Sequence, residues 1–295
     1  MTAPAENKPT PPARLEQKKY VVAFLDFLGA SEKMRSPEAS DKFLHKLHMI
    51  YSDVITVMAE RELLGDGGVK IRIFSDNIVI AKETSRRYDQ NAIYKVFSCC
   101  CFFQAYALLH GLLVRGGISI GNFYMDHIFL FGEGLVKAHD KEGKHAIYPR
   151  IVVDKAVLAG VAIRAVKDYW KTYDDMLEQD YDGELFLNFL IPLLHPKDKK
   201  SSVEYLAAAQ KSILALFAKD KSNNDVRPKL LWLFNKYNEL CKKHDFPKHT
   251  ILPNGDGEPD IDRFKHFSAE KIEQAEKQIL RAIAFDDENT ESYQV

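Results

Sequence analysis

From residue 18 to residue 243 the apolar positions change period repeatedly, and each change predicts a switch between strand and helix. KKYVVAFLDFLG, Lys18 to Gly29, is an almost unbroken apolar run, the pattern of a central strand covered on both faces. Ser36 suits a helix N-cap, with Pro37 at the first helical position. Phe43, Leu47, Ile50, Val54 and Met58 then recur at helical spacing up to the stop signal GDGG at 65–68. VKIRIF and NIVIAKE follow as two strands separated only by Ser75 and Asp76, which predicts a tight hairpin. A helix over Gln90 to His110, the strand LLVRGGISIGNFY, a short helix over Glu133 to Lys141 and the extended segment AIYPRIVVD complete the series.

Strand, helix, strand, strand, helix, strand is the order of a ferredoxin-like βαββαβ palm, an α+β fold. Additional C-terminal helices are expected at Lys155–Tyr173, Ser201–Lys219, Pro228–Lys243 and Ser268–Ala284. ELFLNFL, at 184–190, interrupts them with an alternation that suits an edge strand of the same sheet. The expected organisation is a flexible Pro-rich leader over 1–17, a palm over 18–175, a mainly helical part over 176–285 packed on the same domain, and an acidic tail over 286–295.

Charge and composition narrow the classes. The 41 Lys+Arg and 42 Asp+Glu leave a net charge of −1, which removes the usual cause of stable nucleic-acid binding while leaving a local basic pocket open. At 46% hydrophobic and 11% aromatic, the chain has ample surface for a core. No apolar run approaching the ~20 residues of a membrane span, and no basic-then-apolar leader, is read in the sequence, so a cytoplasmic protein without membrane binding is expected. Cys99, Cys100, Cys101 and Cys241 form no CxxC pair and read as small apolar residues, the first three on a buried helix.

Asp26 stands inside VVAFLDFLG, where an ionised carboxylate is costly to bury unless a metal or a strong hydrogen-bond set compensates it. Asp76 sits at the hairpin tip, a position that also favours Asp for local reasons. In a palm the first strand and this hairpin are neighbours, so the two carboxylates meet, as Mg²⁺ or Mn²⁺ on a triphosphate requires. Gly29 ends the strand and leads into a helical turn whose N–H groups suit phosphate oxygens, or is an ordinary strand-ending glycine. Arg115 opens the strand VRGGISIG, whose glycines permit close approach of a ligand or of backbone.

FLDFLG (Phe24 to Gly29), the IRIFSDN hairpin and VRGGISIG (Val114 to Gly121) together resemble the class III nucleotidyl cyclase family, in order and spacing. Their particular forms, with a helical C-terminal part, are most similar to the pyrimidine cyclases of bacterial Pycsar antiphage systems. The resemblance implies conversion of UTP or CTP to the 3′,5′-cyclic monophosphate with two Mn²⁺ or Mg²⁺ ions per site. It implies a homodimer, with a separate effector protein that senses the product. Asp26 and Asp76 would hold the metals with the Phe27 carbonyl as a further ligand. Phe27, Leu28, Gly29, Ala30 and Ser31 would wrap the β and γ phosphates, and Arg115 would bind the triphosphate. Arg72, four residues before the second metal Asp, takes the base-reading position, where its donors suit pyrimidine O2. Tyr51, on the long helix, would be a second base contact by stacking, or simply a core or surface tyrosine.

One departure stands out. Where the family carries an Asn and, four residues later, an Arg, direct alignment of FGEGLVKAHDKE places Val136 and Asp140. Lys137 or His139 would have to supply positive charge there, unless each belongs to a solvated helix face. A degenerate cyclase fold that binds nucleotide as a sensor therefore stands as an alternative, and a palm that joins or polymerises nucleotides as a third.

Overall fold

The computed structural model describes residues 15–65, 67–84, 89–159, 176–194, 198–220, 222–254 and 256–260. The expected leader up to residue 14, the acidic tail, and the expected helices over 160–173 and 268–284 lie outside the described residues.

Strand β1 (Lys18–Phe27) has the burial pattern of a central strand, with every residue from Tyr20 to Leu25 buried. It is followed by α1 (Ala30–Met34), α2 (Pro37–Glu60), β2 (Lys70–Phe74), β3 (Asn77–Glu83), α3 (Gln90–Leu109) and β4 (Val114–Met125). β1 pairs antiparallel with both β3 and β4, and β2 pairs with β3, which gives the order β2-β3-β1-β4 of a ferredoxin-like palm. The hairpin tip is Ser75–Asp76, with Ser75 at φ 55°. Ser36 is the N-cap of α2 and Pro37 its first residue, although the serine side chain makes no capping bond.

The palm is extended on its β4 side. Strand β5 (Leu130–Phe131) folds back on β4, and α4 (Glu133–His145) runs four residues further than the Lys141 end expected. β6 (Ile151–Val153) lies parallel to β4. After α5 (Lys155–Leu158) come β7 (Leu177–Gln179) and β8 (Leu185–Leu187), and the sheet continues in the order β4-β6-β8-β7. ELFLNFL does join this sheet through β8, but not as the edge strand expected, because β7 pairs on its far side and forms the edge. Two long helices, α6 (Lys199–Asp220) and α7 (Arg227–Lys243), follow.

Alternation along β1 divides the core. Val21, Ala23, Leu25 and Phe27 join the large cluster that includes α2, α3 and the C-terminal helices. Tyr20, Val22 and Phe24 face the other way and pack with Val79, Phe123 and Ala138 under α4. Helix α3 corrects one expectation: its 20 residues are apolar enough, by length and composition, to cross a membrane. It instead forms the centre of the large cluster, with Cys99, Cys100 and Cys101 wholly buried.

Candidate active site

The palm places its polar residues by register. Asp26 lies opposite Asn77 of β3 on one side and Arg115 of β4 on the other, so these side chains share the α4 face with Phe24 and Val22. The Arg115 Nε donates to Asp26 Oδ2 at 3.1 Å. Asp76 is drawn in by its backbone: its carbonyl accepts from the Phe27 N–H at 3.2 Å, which fastens the hairpin tip to the end of β1. Its carboxylate takes a bond from the Asn77 amide at 3.2 Å. Asp26 and Asp76, 50 positions apart in sequence, thus meet at one end of the central strand.

A third carboxylate, not foreseen from the sequence, completes the group. Glu142 is buried on α4, and its Oε1 lies 2.6 Å from the Arg115 Nε. The glycines of VRGGISIG explain its position. A Cβ on Gly117 would stand 2.6 Å from the Glu142 N and 2.8 Å from the Lys141 Cβ, with the Ala138 carbonyl closer still. The close approach that Gly117 allows is therefore that of the α4 backbone. Gly134, Ala138 and Glu142 recur at four-residue intervals on the buried side of α4, and this spacing is the signal that marked Glu142 as inward-facing.

The electrostatics follow. Burial pushes the Asp26 carboxyl up; the Arg115 hydrogen bond and charge oppose this, and the neighbouring Asp76 charge adds to it. Burial also raises Glu142, against the pull of Arg115 and with a push from Asp26. Asp26 and Glu142 thus share one guanidinium, with the Asp76 charge nearby, and His139 is close enough to lower both Asp26 and Glu142. The His139 ring stands edge-on to Phe24 at 5.0 Å, whereas Lys137 is taken up by Glu133 at 2.5 Å. Of the two residues weighed for this helix, His139 is the one at the site.

The acidic excess fits divalent cations. Asp26 and Asp76 offer hard oxygen donors, and their mutual repulsion is what an added positive charge relieves. Among the described residues no three His, Cys, Asp or Glu side chains gather as a self-sufficient metal site, so substrate oxygens would have to complete the coordination.

The remaining expected residues are placed as follows. The Phe27 and Leu28 amides are committed to the carbonyls of Asp76 and Leu113, at 3.2 and 2.8 Å. That leaves Gly29, Ala30 and Ser31, where Gly29 has φ 70° and the first N–H groups of α1 have no acceptor within the helix. Arg72 is exposed on the same face as Phe24, through the register Arg72–Val79–Phe24, and donates to the Asp126 carbonyl at 3.1 Å. Tyr51 is exposed on α2, in the layer on the opposite face of the sheet. Val136 is 61% exposed and Asp140 pairs with Lys144 at 3.1 Å, so neither turns toward Asp26.

No protein-family model matches the chain, and no curated protein matches it. Among solved structures, an adenylate/guanylate cyclase/hydrolase from Silicibacter pomeroyi is 15% identical, with a TM-score of 0.36 over 58% of this chain and 95% of that one. The guanylyl cyclase domain of the RhoGC fusion protein from Blastocladiella emersonii is 12% identical, with a TM-score of 0.38 over 58% of this chain and 96% of that one. A class III adenylyl cyclase-like ATP-binding protein from Pseudomonas aeruginosa is 11% identical, with a TM-score of 0.39 over 66% of this chain and 41% of that one. At such low similarity the chemistry of this site rests on its own residues.

Proposed function

We propose that the chain is a nucleotidyl cyclase that converts a pyrimidine nucleoside triphosphate, UTP or CTP, to its 3′,5′-cyclic monophosphate and pyrophosphate. The observation that carries this reading is the meeting of Asp26, Asp76 and Arg115 at the end of the central strand. Asp26 and Asp76 would hold two Mg²⁺ or Mn²⁺ ions, with the Phe27 carbonyl as a further donor. When bound, such ions supply acidification of the ribose 3′-hydroxyl and neutralisation of the leaving pyrophosphate.

The chain's own residues bind and orient. Arg115 spends its Nε on Asp26 and Glu142, so its terminal nitrogens remain to take phosphate oxygens. Glu142 is then a positioning residue that fixes the plane of that fork. The amides of Gly29, Ala30 and Ser31 would face the β and γ phosphates, with Phe27 and Leu28 holding the turn in shape through their own backbone bonds. In the reaction the 3′-oxygen forms a bond to the α-phosphorus, the α–β bridging bond breaks, the hydroxyl proton goes to solvent and pyrophosphate leaves. Both reacting atoms belong to one molecule, so alignment supplies much of the rate. Arg72 would meet the base. Tyr51 and Lys137 are retained as nucleotide contacts only across a dimer, because within one chain they lie away from Asp26.

A homodimer is part of the proposal. Ile128, Phe129 and Phe131 around the β4–β5 turn and Val136 on α4 are exposed apolar side chains, which supports an interface there. The setting proposed is an antiphage second-messenger signal read by a separate effector protein. A nucleotide sensor is the second reading, favoured by exposed Val136 and Asp140 where the resembled family has its Asn and Arg.

The test is incubation of purified protein with UTP, CTP, ATP and GTP separately, each with Mn²⁺, and identification of products by mass. A single cyclic pyrimidine product is expected. Nucleotide binding without product from any of the four would replace the enzyme by the sensor.

A further inference from the structure

A second cleft opens behind the β1–α1 turn, bounded by α1, α2 and the C-terminal helices α6 and α7, with a volume of about 480 Å³. Its floor is apolar, formed by side chains such as Leu109, Leu112 and Leu216. Six lysines line it against two carboxylates, Glu32 and Asp220. Lys42 is engaged by Glu38 at 2.7 Å, and Lys46 donates to the His110 carbonyl at 2.9 Å. Among the described residues Lys33, Lys219 and Lys229 have no carboxylate within ion-pair distance.

The lysines come from separate elements and crowd one another. Lys33 belongs to α1, Lys46 to α2 and Lys219 to the end of α6. Lys33 is held down to about 8, first by burial and then by the charges of Lys219 and Lys46. Asp220 and Glu32 offset part of this repulsion, and the lysine excess that remains at a half-buried position is costly until an anion joins it. A small inorganic anion would answer the lysines but leave the leucine floor in water. The volume is that of a site for a nucleotide-sized molecule.

We propose that this cleft binds an anion that joins phosphate groups to an apolar body, of the nucleoside diphosphate class, with its phosphates on Lys33 and Lys219 and its body on the leucine floor. The helices α1 and α2 lie on the opposite face of the sheet from α4 and Asp26, and the two sites share only the β1–α1 turn, whose Leu28 and Gly29 also line this cleft. This second site does not rest on the cyclase reading.

The test uses the full chain in EDTA, so that no divalent cation assists binding at the carboxylates, and titrates ADP, inorganic pyrophosphate and adenosine by calorimetry. ADP is expected to bind saturably at one site per chain, at least about tenfold tighter than pyrophosphate or adenosine. Lys33→Met/Lys219→Met, and the exposed single variant Lys219→Met, should weaken ADP by about tenfold or more, with unchanged far-ultraviolet circular dichroism. Arg115→Gln, which alters only the other site, should leave ADP affinity within about twofold. Absence of saturable ADP binding, indifference to the lysine variants, loss in Arg115→Gln, or pyrophosphate binding as tightly as ADP would each overturn the assignment.

Discussion

Asp26 and Arg115 are cross-strand partners, 89 positions apart in sequence, and their side chains meet at 3.1 Å. The pair is under-compensated, because the same guanidinium also serves Glu142 and because burial pushes both carboxyls up. Folding therefore favours their protonated forms. The stability they contribute is present below the ordinary values of 3.8 and 4.5 and is lost as pH rises through the raised ones. Asp26→Asn should then abolish turnover while raising the metal-free melting temperature by about 1–3 °C at neutral pH. Differential scanning calorimetry beside a product assay checks both, and a melting temperature that falls would contradict the electrostatic account.

Glu142→Gln is expected to lower kcat/KM by about 10–100-fold, the usual range when a supporting partner of a binding group is removed. The loss should fall mainly on KM for the triphosphate, because Arg115 keeps its charge and loses its orientation. Glu142→Asp should recover part of it. An equal fall in kcat with KM unchanged would assign Glu142 a different role.

Gly117→Ala pushes a methyl group into the α4 backbone, where no flexible side chain can yield. The expected cost is about 1–3 kcal/mol by urea denaturation, with activity reduced because α4 carries Glu142 away from Arg115. Gly143→Ala, on the same helix and with open space at its Cβ, is the control and should be neutral or mildly stabilising.

Arg150 is wholly buried, ion-paired with Asp180 and Asp182, and donates to the His145 carbonyl at 3.1 Å. The Trp232 indole N–H also donates to Asp180, at 2.8 Å, so this cluster ties α4, the β7–β8 hairpin and α7 together. Arg150→Met leaves Asp180 buried without its cation and should cost about 3–5 kcal/mol by equilibrium denaturation.

The thiols of Cys99, Cys100 and Cys101 are pushed up by burial, and that of Cys241 is pushed up to about 11. None should react with a thiol reagent at pH 8 in the native protein, and all four should react in denaturant. Fast labelling of the native chain would place α3 outside the core.

The palm was legible because its strands and helices are long and one-sided. VVAFL could only be a covered strand, Ser75–Asp76 left room only for a tight turn, and Phe43 to Met58 kept one helical face. Strand order led to the expectation that Asp26 and Asp76 face one cleft, whereas Arg115 entered the expected site through the resemblance and its pairing with Asp26 comes from the β1–β4 register. Glu142 was hidden because KAHDKEGKH is charged at most positions, so the Gly134–Ala138–Glu142 spacing that turns it inward against Gly117 does not stand out. β7 escaped notice because LEQ is three residues long and largely polar, and gains strand character only beside β8. The Arg150 cluster joins residues 30 and 32 positions apart that carry no local signal of pairing.

The central place of β1 in the sheet also fixes an order of events at birth. A chain made from its N-terminus exposes Tyr20 to Leu25 long before β4 exists, and at ~5–20 residues per second the 89 positions from Asp26 to Arg115 take about 5–20 s to synthesise. Meanwhile the hairpin can cover one edge of the nascent strand, and the other stays open to any neighbouring chain. Yield from overexpression should therefore depend on how crowded the ribosomes are, and slower translation after residue 123 should do little to improve it, since by then both neighbours of β1 have been made.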